Sequence, residues 1–368
     1  MKNSLVLPFI ISSIIVLTTA TLKAQEKLDS LLPVRGFCID VPRPAQLDSF
    51  VQFIDKELSF RKVNTLILQV EYHYQFETHP ELRDSFALST ADVKTIVKVC
   101  RKNHIRIIPQ INFLGHQSWA NHTGKLLQQY PQFDETPYIS MPEKYEWPNA
   151  DKLYCKSYCP LHPELHGVIF EVMDELCDVF ESDVFHAGMD EVFYLGEEKC
   201  ERCSGRDKAE LFANEVRKIH DHLLKRGREL WIWGDRLLDG ITTGLGEWEA
   251  SYNNTFRAVD MIPKDVVICD WHYERADKTA IYFAMKGLRV ITCSWRHPAI
   301  ALTQISDMVV FRQQATSEMR GRLLGIMETT WTNTASFLRN FYQEPKTPDE
   351  KTAANCFKIM YAAIGKLN

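Results

Sequence analysis

DVFHAGMDE, residues 183–191, is an apolar run of strand length that ends in two adjacent carboxylates, Asp190 and Glu191. Seven further runs of the same kind lie along the chain: VRGFCID (34–40), VNTLILQVE (63–71), IRIIPQINF (105–113), ELWIWGD (229–235), DVVICDW (265–271), LRVITCSW (288–295) and LLGIMETTW (323–331). Continuous runs rich in β-branched residues bury both faces of a strand, which suits a parallel sheet covered by helices. The segments between them carry apolar residues at helical spacing, as in LDSFVQFIDKELSFR (47–61) and TADVKTIVKVCRKNH (90–104). Eight strand–helix units with no intervening linker or repeat predict an α/β chain folded as a (β/α)8 TIM barrel, one domain over residues 25–368. An open doubly wound sheet is the alternative.

Residues 1–24 stand apart from this series. Lys2 precedes an apolar run from about Leu5 to Thr21, followed by Leu22-Lys23-Ala24. That layout is expected of a secretory signal peptide cleaved near Ala24, with export to the periplasm or the medium. The run contains Pro8 and is short for a bilayer-spanning helix, so a retained anchor is the less favoured reading. The formal net charge is −5 and no basic cluster is present. Charge therefore gives no reason to expect nucleic acid or an anionic membrane as partner. No His-Glu-x-x-His, phosphate loop or glycine-rich dinucleotide fingerprint occurs, and no catalytic cofactor is expected.

In a barrel the C-terminal strand ends form one mouth, so residues distant in sequence converge there. Reading off those ends gives Arg43 after the first strand, Glu71 and Tyr72 after the second, and His116 after the third. Asp190 and Glu191 follow the fourth, Trp233 and Asp235 the fifth, Trp271, His272 and Tyr273 the sixth, Trp295 the seventh and Trp331 the eighth. Any one tryptophan is more often core packing. Together, at strand ends around carboxylates, they suit a sugar, whose C–H groups pack on aromatic faces while its hydroxyls reach polar side chains. The expected ligand is a glycan or amino sugar. The longest irregular segment, roughly 121–160, follows the third strand, where a barrel places a loop that shapes its mouth.

Strand alternation puts Asp190 and Glu191 on opposite faces. Both reach one ligand only if the backbone turns as the strand leaves the sheet, and Gly188 permits close approach there. Two carboxylates held together resist double ionisation, which makes one available as a general acid. The plainer reading is a helix-capping acid followed by a surface glutamate.

FHAGMDEV (185–192) resembles the His-x-Gly-Gly-Asp-Glu signature of glycoside hydrolase family 20, the β-N-acetylhexosaminidases. PQINFLGHQS (109–118) is similar to that family's Pro-Glu-Ile-Asp-x-Pro-Gly-His stretch, and RGFCIDVPR (35–43) to its first strand with a sugar-binding arginine. DEVFYLGE (190–197) looks closest to the hexosaminidase D-like branch. The resemblance covers most of the chain, from about Arg35 to beyond Trp331. It implies retaining, exo-acting hydrolysis of terminal β-linked N-acetylglucosamine or N-acetylgalactosamine, with the sugar's own acetamido oxygen as nucleophile. On that basis Glu191 is the acid and base, Asp190 orients the acetamido N–H, Arg43 binds ring hydroxyls, and Trp271 and Trp331 wall the N-acetyl pocket. Alternatives are an inactive carbohydrate-binding barrel and a glycosidase for another sugar.

The chain departs from the family pattern at several places. Met189 replaces the second glycine, and Gln110 and Asn112 replace two acids. Trp295 stands where the family has a tyrosine after strand seven, with Tyr273 as a candidate substitute. Thr332 and Asn333, and no acid, follow Trp331.

Ten cysteines are present. Six lie singly in apolar segments and read as small buried hydrophobes. Cys155 and Cys159 in CKSYC, and Cys200 and Cys203 in CERC, fall at the same rim of the expected barrel. They are expected to hold a structural zinc through four thiolates, with one or two disulfides as the rival.

Overall fold

The computed structural model describes residues 26–367. The expected signal peptide lies outside them. Among the described residues no helix is long and apolar enough to cross a membrane.

All eight expected strands form: β1 (Val34–Asp40), β2 (Thr65–Gln69), β3 (Arg106–Phe113), β4 (Val184–Gly188), β5 (Glu229–Trp233), β6 (Val267–Trp271), β7 (Arg289–Ser294) and β8 (Leu323–Thr329). Each pairs in parallel with its neighbours in sequence, and β8 returns to pair with β1 in the register Gly36↔Met327. That last pairing closes the barrel and excludes the open sheet. Alternate residues point inward, so Ile67, Ile108, Val184, Trp231, Val267 and Met327 fill the interior. The opposite faces pack on the surrounding helices in a second, larger core.

The helices follow the spacing read from sequence. Thr90–Lys102 buries Val93, Ile96, Val97, Val99 and Cys100 on one stripe. Ser89 starts it with a capping box, accepting from the Asp92 amide while the Asp92 carboxylate accepts from the Ser89 amide. The run after β1 forms Leu47–Phe53 and then widens into a π-helical turn, Ile54–Leu58.

The seam between β1 and β8 is covered by the C-terminal helices Thr334–Phe341 and Ala353–Gly365. Phe37 of β1 meets Phe337 at 5.1 Å and Phe357 at 4.7 Å, and the Tyr361 hydroxyl donates to Gly36 O at 2.7 Å. Each such buried ring contributes about 1.5–3 kcal/mol.

The strands end earlier than the apolar runs do, for a local reason. Gly188, Met189 and Glu191 have φ of +65°, +68° and +49°, so the chain leaves the sheet just before the paired acids. β3 carries an extra residue opposite this point, since Gln110 pairs with His186 but Phe113 with Gly188. A Cβ on Gly188 would fall 2.1 Å from Asn112 Oδ1. The glycine thus serves both the turn and the close approach of β3.

Candidate active site

The C-terminal rim surrounds a hollow of about 1030 Å³. Asp190, Glu191, His116, Trp271, Tyr273, Trp295 and Trp331 all line it. The turn at 188–191 cancels the alternation that would have separated the two acids. His116 Nε2 stands 3.2 Å from Asp190 Oδ2 and 3.0 Å from Glu191 Oε2. Both carboxyls are nearly buried, at 6% and 8% exposure, and Asp190 Oδ1 has no hydrogen-bond partner among the described residues. Burial works to lower the His116 imidazole, but the Asp190 charge and the hydrogen bonds to both acids outweigh it and hold the ring well above its ordinary value. The ring, within hydrogen-bond distance of both acids, keeps them aimed at the same space.

Met189 takes the left-handed conformation that a glycine adopts freely. The strain costs roughly 1–2 kcal/mol, and full burial of the Met189 side chain offsets it with about 1.5–3 kcal/mol. The amides at 110 and 112 also have a physical reading. Asp40 and Glu71 already line the hollow beside Asp190 and Glu191, and two more acids would add like charge. Gln110 Nε2 instead donates to Asn112 Oδ1 at 3.3 Å, while the backbone N–H of Asn112 donates to Glu71 Oε1 at 3.1 Å.

Three expected contact residues are placed differently. Arg43 is exposed, with its guanidinium 4.6 Å from the centre of the Phe86 ring, and it is not part of the hollow's lining. It stands past the end of β1, in extended conformation just ahead of the turn Pro44–Gln46. Trp233 points into the barrel, packed on His186 at 4.6 Å and beneath Trp331 at 5.6 Å, so it supports the wall without forming it. Asp235 is buried behind the site, where its carboxylate accepts the Glu191 amide at 2.9 Å and the Trp271 indole N–H at 3.2 Å. Burial raises its pKa to about 6 against the pull of Arg236, whose Nε donates to it at 2.6 Å. Asp235 therefore positions the acid and one aromatic wall and does not itself reach the hollow.

The cysteine expectation also needs correction. Cys155 lies away from the other three, its sulfur 3.5 Å from Glu191 O. Glu135 takes the fourth place beside Cys159, Cys200 and Cys203. CKSYC is extended enough to send its two thiols to different neighbours. All ten cysteines are free thiols, and the six single ones are buried as expected.

Several lining residues escaped the strand-end reading. Asp40 closes the very run VRGFCID and obeys the same rule that found Glu71. Tyr154, Trp119, Trp248 and Glu249 come from long loops, where periodicity carries no signal. Arg236 organises one of those loops, donating to Glu247 O, Trp248 O and Ala250 O at 2.7, 2.9 and 2.9 Å. A smaller cleft of about 270 Å³ near Asn340 and Lys358 contains none of the paired acids.

Burial raises Asp40 to about 7 and Glu71 to about 8. Each binds its proton more tightly folded than unfolded, so the folded chain holds more protons above the ordinary carboxylate range. Stability is then fully present at low pH and falls as pH rises through 7 and 8. The denaturant midpoint is expected to drop between about pH 5 and pH 9, and Glu71→Gln should flatten that drop. A midpoint that rises over this interval would contradict the assignment.

A buried acid pair facing an aromatic-walled hollow at the C-terminal mouth is an arrangement suited to protonating a bond between a ring and its substituent. The chain belongs to glycosyl hydrolase family 20: residues 33–337 match that family's catalytic domain. It is 26% identical over 224 residues to the beta-hexosaminidase subunit beta of Felis catus, covering 56% of this chain and 39% of that one. It is 23% identical over 184 residues to hexosaminidase D of Bos taurus, covering 48% of each. The chain thus spans less than half the length of these curated relatives. The chitobiase of Flavobacterium johnsoniae shares the fold over 91% of this chain and 51% of its own, with a TM-score of 0.59 at 17% identity.

Proposed function

We propose that the protein is a retaining exo-β-N-acetylhexosaminidase that removes terminal β-linked N-acetylglucosamine or N-acetylgalactosamine from glycans. The observation that carries this reading is the convergence of Glu191 and Asp190 on one hollow that both line, with Asp190 Oδ1 left without a hydrogen-bond partner among the described residues. Glu191 gives its proton to the glycosidic oxygen as the bond to C1 breaks and the aglycone leaves as an alcohol. The acetamido carbonyl oxygen closes on C1 and forms an oxazolinium ion, while Asp190 Oδ1 accepts the acetamido N–H and stabilises the positive charge. Water, deprotonated by Glu191, then opens that ring from the face the aglycone left, so configuration is retained.

Tyr273 supplies the remaining contact in this scheme. Its hydroxyl accepts from the Trp331 indole at 3.0 Å and lies 3.2 Å from Thr329 Oγ1. The closer acceptor for the Thr329 proton is Ser294 O at 2.9 Å, which leaves the Tyr273 proton with one weak bond to exchange for the acetamido oxygen. Tyr273→Phe is expected to lower kcat/KM for an N-acetylhexosaminide by about ten- to a hundredfold, equivalent to roughly 1.5–3 kcal/mol for a hydrogen bond to a charged centre. An unchanged kcat/KM would remove Tyr273 from this role.

Trp271, Trp295 and Trp331 provide the wall for the sugar's apolar face, and Asp40 and Glu71 offer acceptors for ring hydroxyls where Arg43 was expected. The bovine hexosaminidase D similarity supports placement in that branch. The layout of residues 1–24 supports export, and the unbroken run of strand–helix units supports one catalytic domain over 25–368. The direct test is a panel of aryl β-glycosides, with and without the 2-acetamido group, offered to the purified chain. Turnover confined to the acetamido sugars supports the proposal, and equal turnover of the others refutes it.

A further inference from the structure

We propose that Glu135, Cys159, Cys200 and Cys203 form a tetrahedral structural zinc site that ties together the two loops flanking the paired acids. The four donor atoms all lie within 4.8 Å of one another, with Cys159 Sγ 3.3 Å from Cys203 Sγ and 3.6 Å from Cys200 Sγ. Zinc–thiolate bonds of about 2.3 Å in a tetrahedron place sulfurs about 3.8 Å apart, so the cluster is close to the required size. Two sulfurs in a disulfide stand at about 2.05 Å. Such a bond would use only two of the three thiols and leave Glu135 unexplained.

The carboxyl is the second observation. Glu135 is fully buried, its Oε1 accepts the Glu197 amide at 3.1 Å, and its Oε2 has no hydrogen-bond partner among the described residues. Without a metal this carboxyl has the Cys200 thiol, a weak donor, as its side-chain partner, and a cation between the donors would satisfy it better. Backbone amides also meet the sulfurs, Arg202 and Cys203 N–H at Cys200 and Leu161 N–H at Cys159. Amide donors of this kind stabilise thiolates and orient them toward a metal. Soft sulfur ligands favour zinc over magnesium or calcium. Binding would release the thiol protons to solvent.

The placement gives the site a task. Cys159 belongs to the loop that brings Tyr154 to the hollow, and Cys200 and Cys203 belong to the loop that begins with Asp190 and Glu191. With four protein donors no open position remains for a reacting water, so the metal would hold walls and take no part in chemistry.

The test is metal content of the full chain, with cobalt exchange as a spectroscopic readout. One zinc per chain is expected, together with thiolate-to-cobalt charge-transfer bands after exchange. Cys203→Ser and Glu135→Ala should lose metal, and Cys155→Ser should keep it. Should Cys203→Ser fail to fold, the wild-type chain decides: a strong chelator should lower its melting midpoint and added zinc should restore it. A chain that takes up neither zinc nor cobalt, or one in which Cys155→Ser abolishes binding, overturns the site. None of these readouts depends on glycosidase activity, so they stand apart from the proposal above.

Discussion

Glu191→Gln is expected to lower kcat/KM on an unactivated N-acetylhexosaminide by about 10²–10⁴-fold, the span that a positioned general acid contributes. The amide fits the same space and can still accept from His116 but cannot give a proton to the leaving oxygen. Because the Glu191 amide hydrogen-bonds Asp235 at 2.9 Å, the backbone should hold its place and substrate binding should survive. The loss should shrink for a nitrophenyl leaving group, which departs with little protonation, and this contrast separates a lost acid from a disturbed fold. Equal losses on both substrates, or none on either, would remove Glu191 from the acid's role.

The second large effect is expected at Asp190. Asp190→Asn removes the charge that faces the internal nucleophile and can turn an N–H toward the acetamido N–H, where an acceptor is needed. A loss of about 10²–10³-fold in kcat is expected, comparable to removing one preorganised electrostatic partner from a reaction centre. Since His116 owes its raised basicity first to the Asp190 charge among the opposing effects on it, the same substitution should also lower the His116 pKa, which NMR titration of the ring reads directly. An unchanged imidazole titration would mean that the pair is not coupled as the distances of 3.2 and 3.0 Å require.

The fold was legible because eight apolar runs of similar length carry their own signal, and each became a barrel strand. The acid pair was legible for the same reason, lying at the end of one run. Asp40 apart, what escaped detection lay in long loops or depended on the direction of side chains. Trp233 and Trp331 both stand at strand ends, yet one points into the barrel and the other into the hollow, a difference set by alternation within each strand. Arg43 follows a strand that ends three residues sooner, and its guanidinium lies over Phe86 instead of in the hollow. Cys155 shares a five-residue motif with Cys159 but faces Glu191 O, and the carboxylate that replaces it stands twenty residues upstream in a segment with no periodicity.

The aromatic seam between β1 and β8 bears on where this architecture can be cut. The match to the family's catalytic domain stops at residue 337, short of Phe341, which lies against Phe53, of Phe357, which lies against Phe37, and of Tyr361, which lies against Phe357. A boundary drawn from family likeness would therefore strip the stave that clamps the first strand to the last. Recognisable ancestry and mechanical integrity end at different residues in this chain.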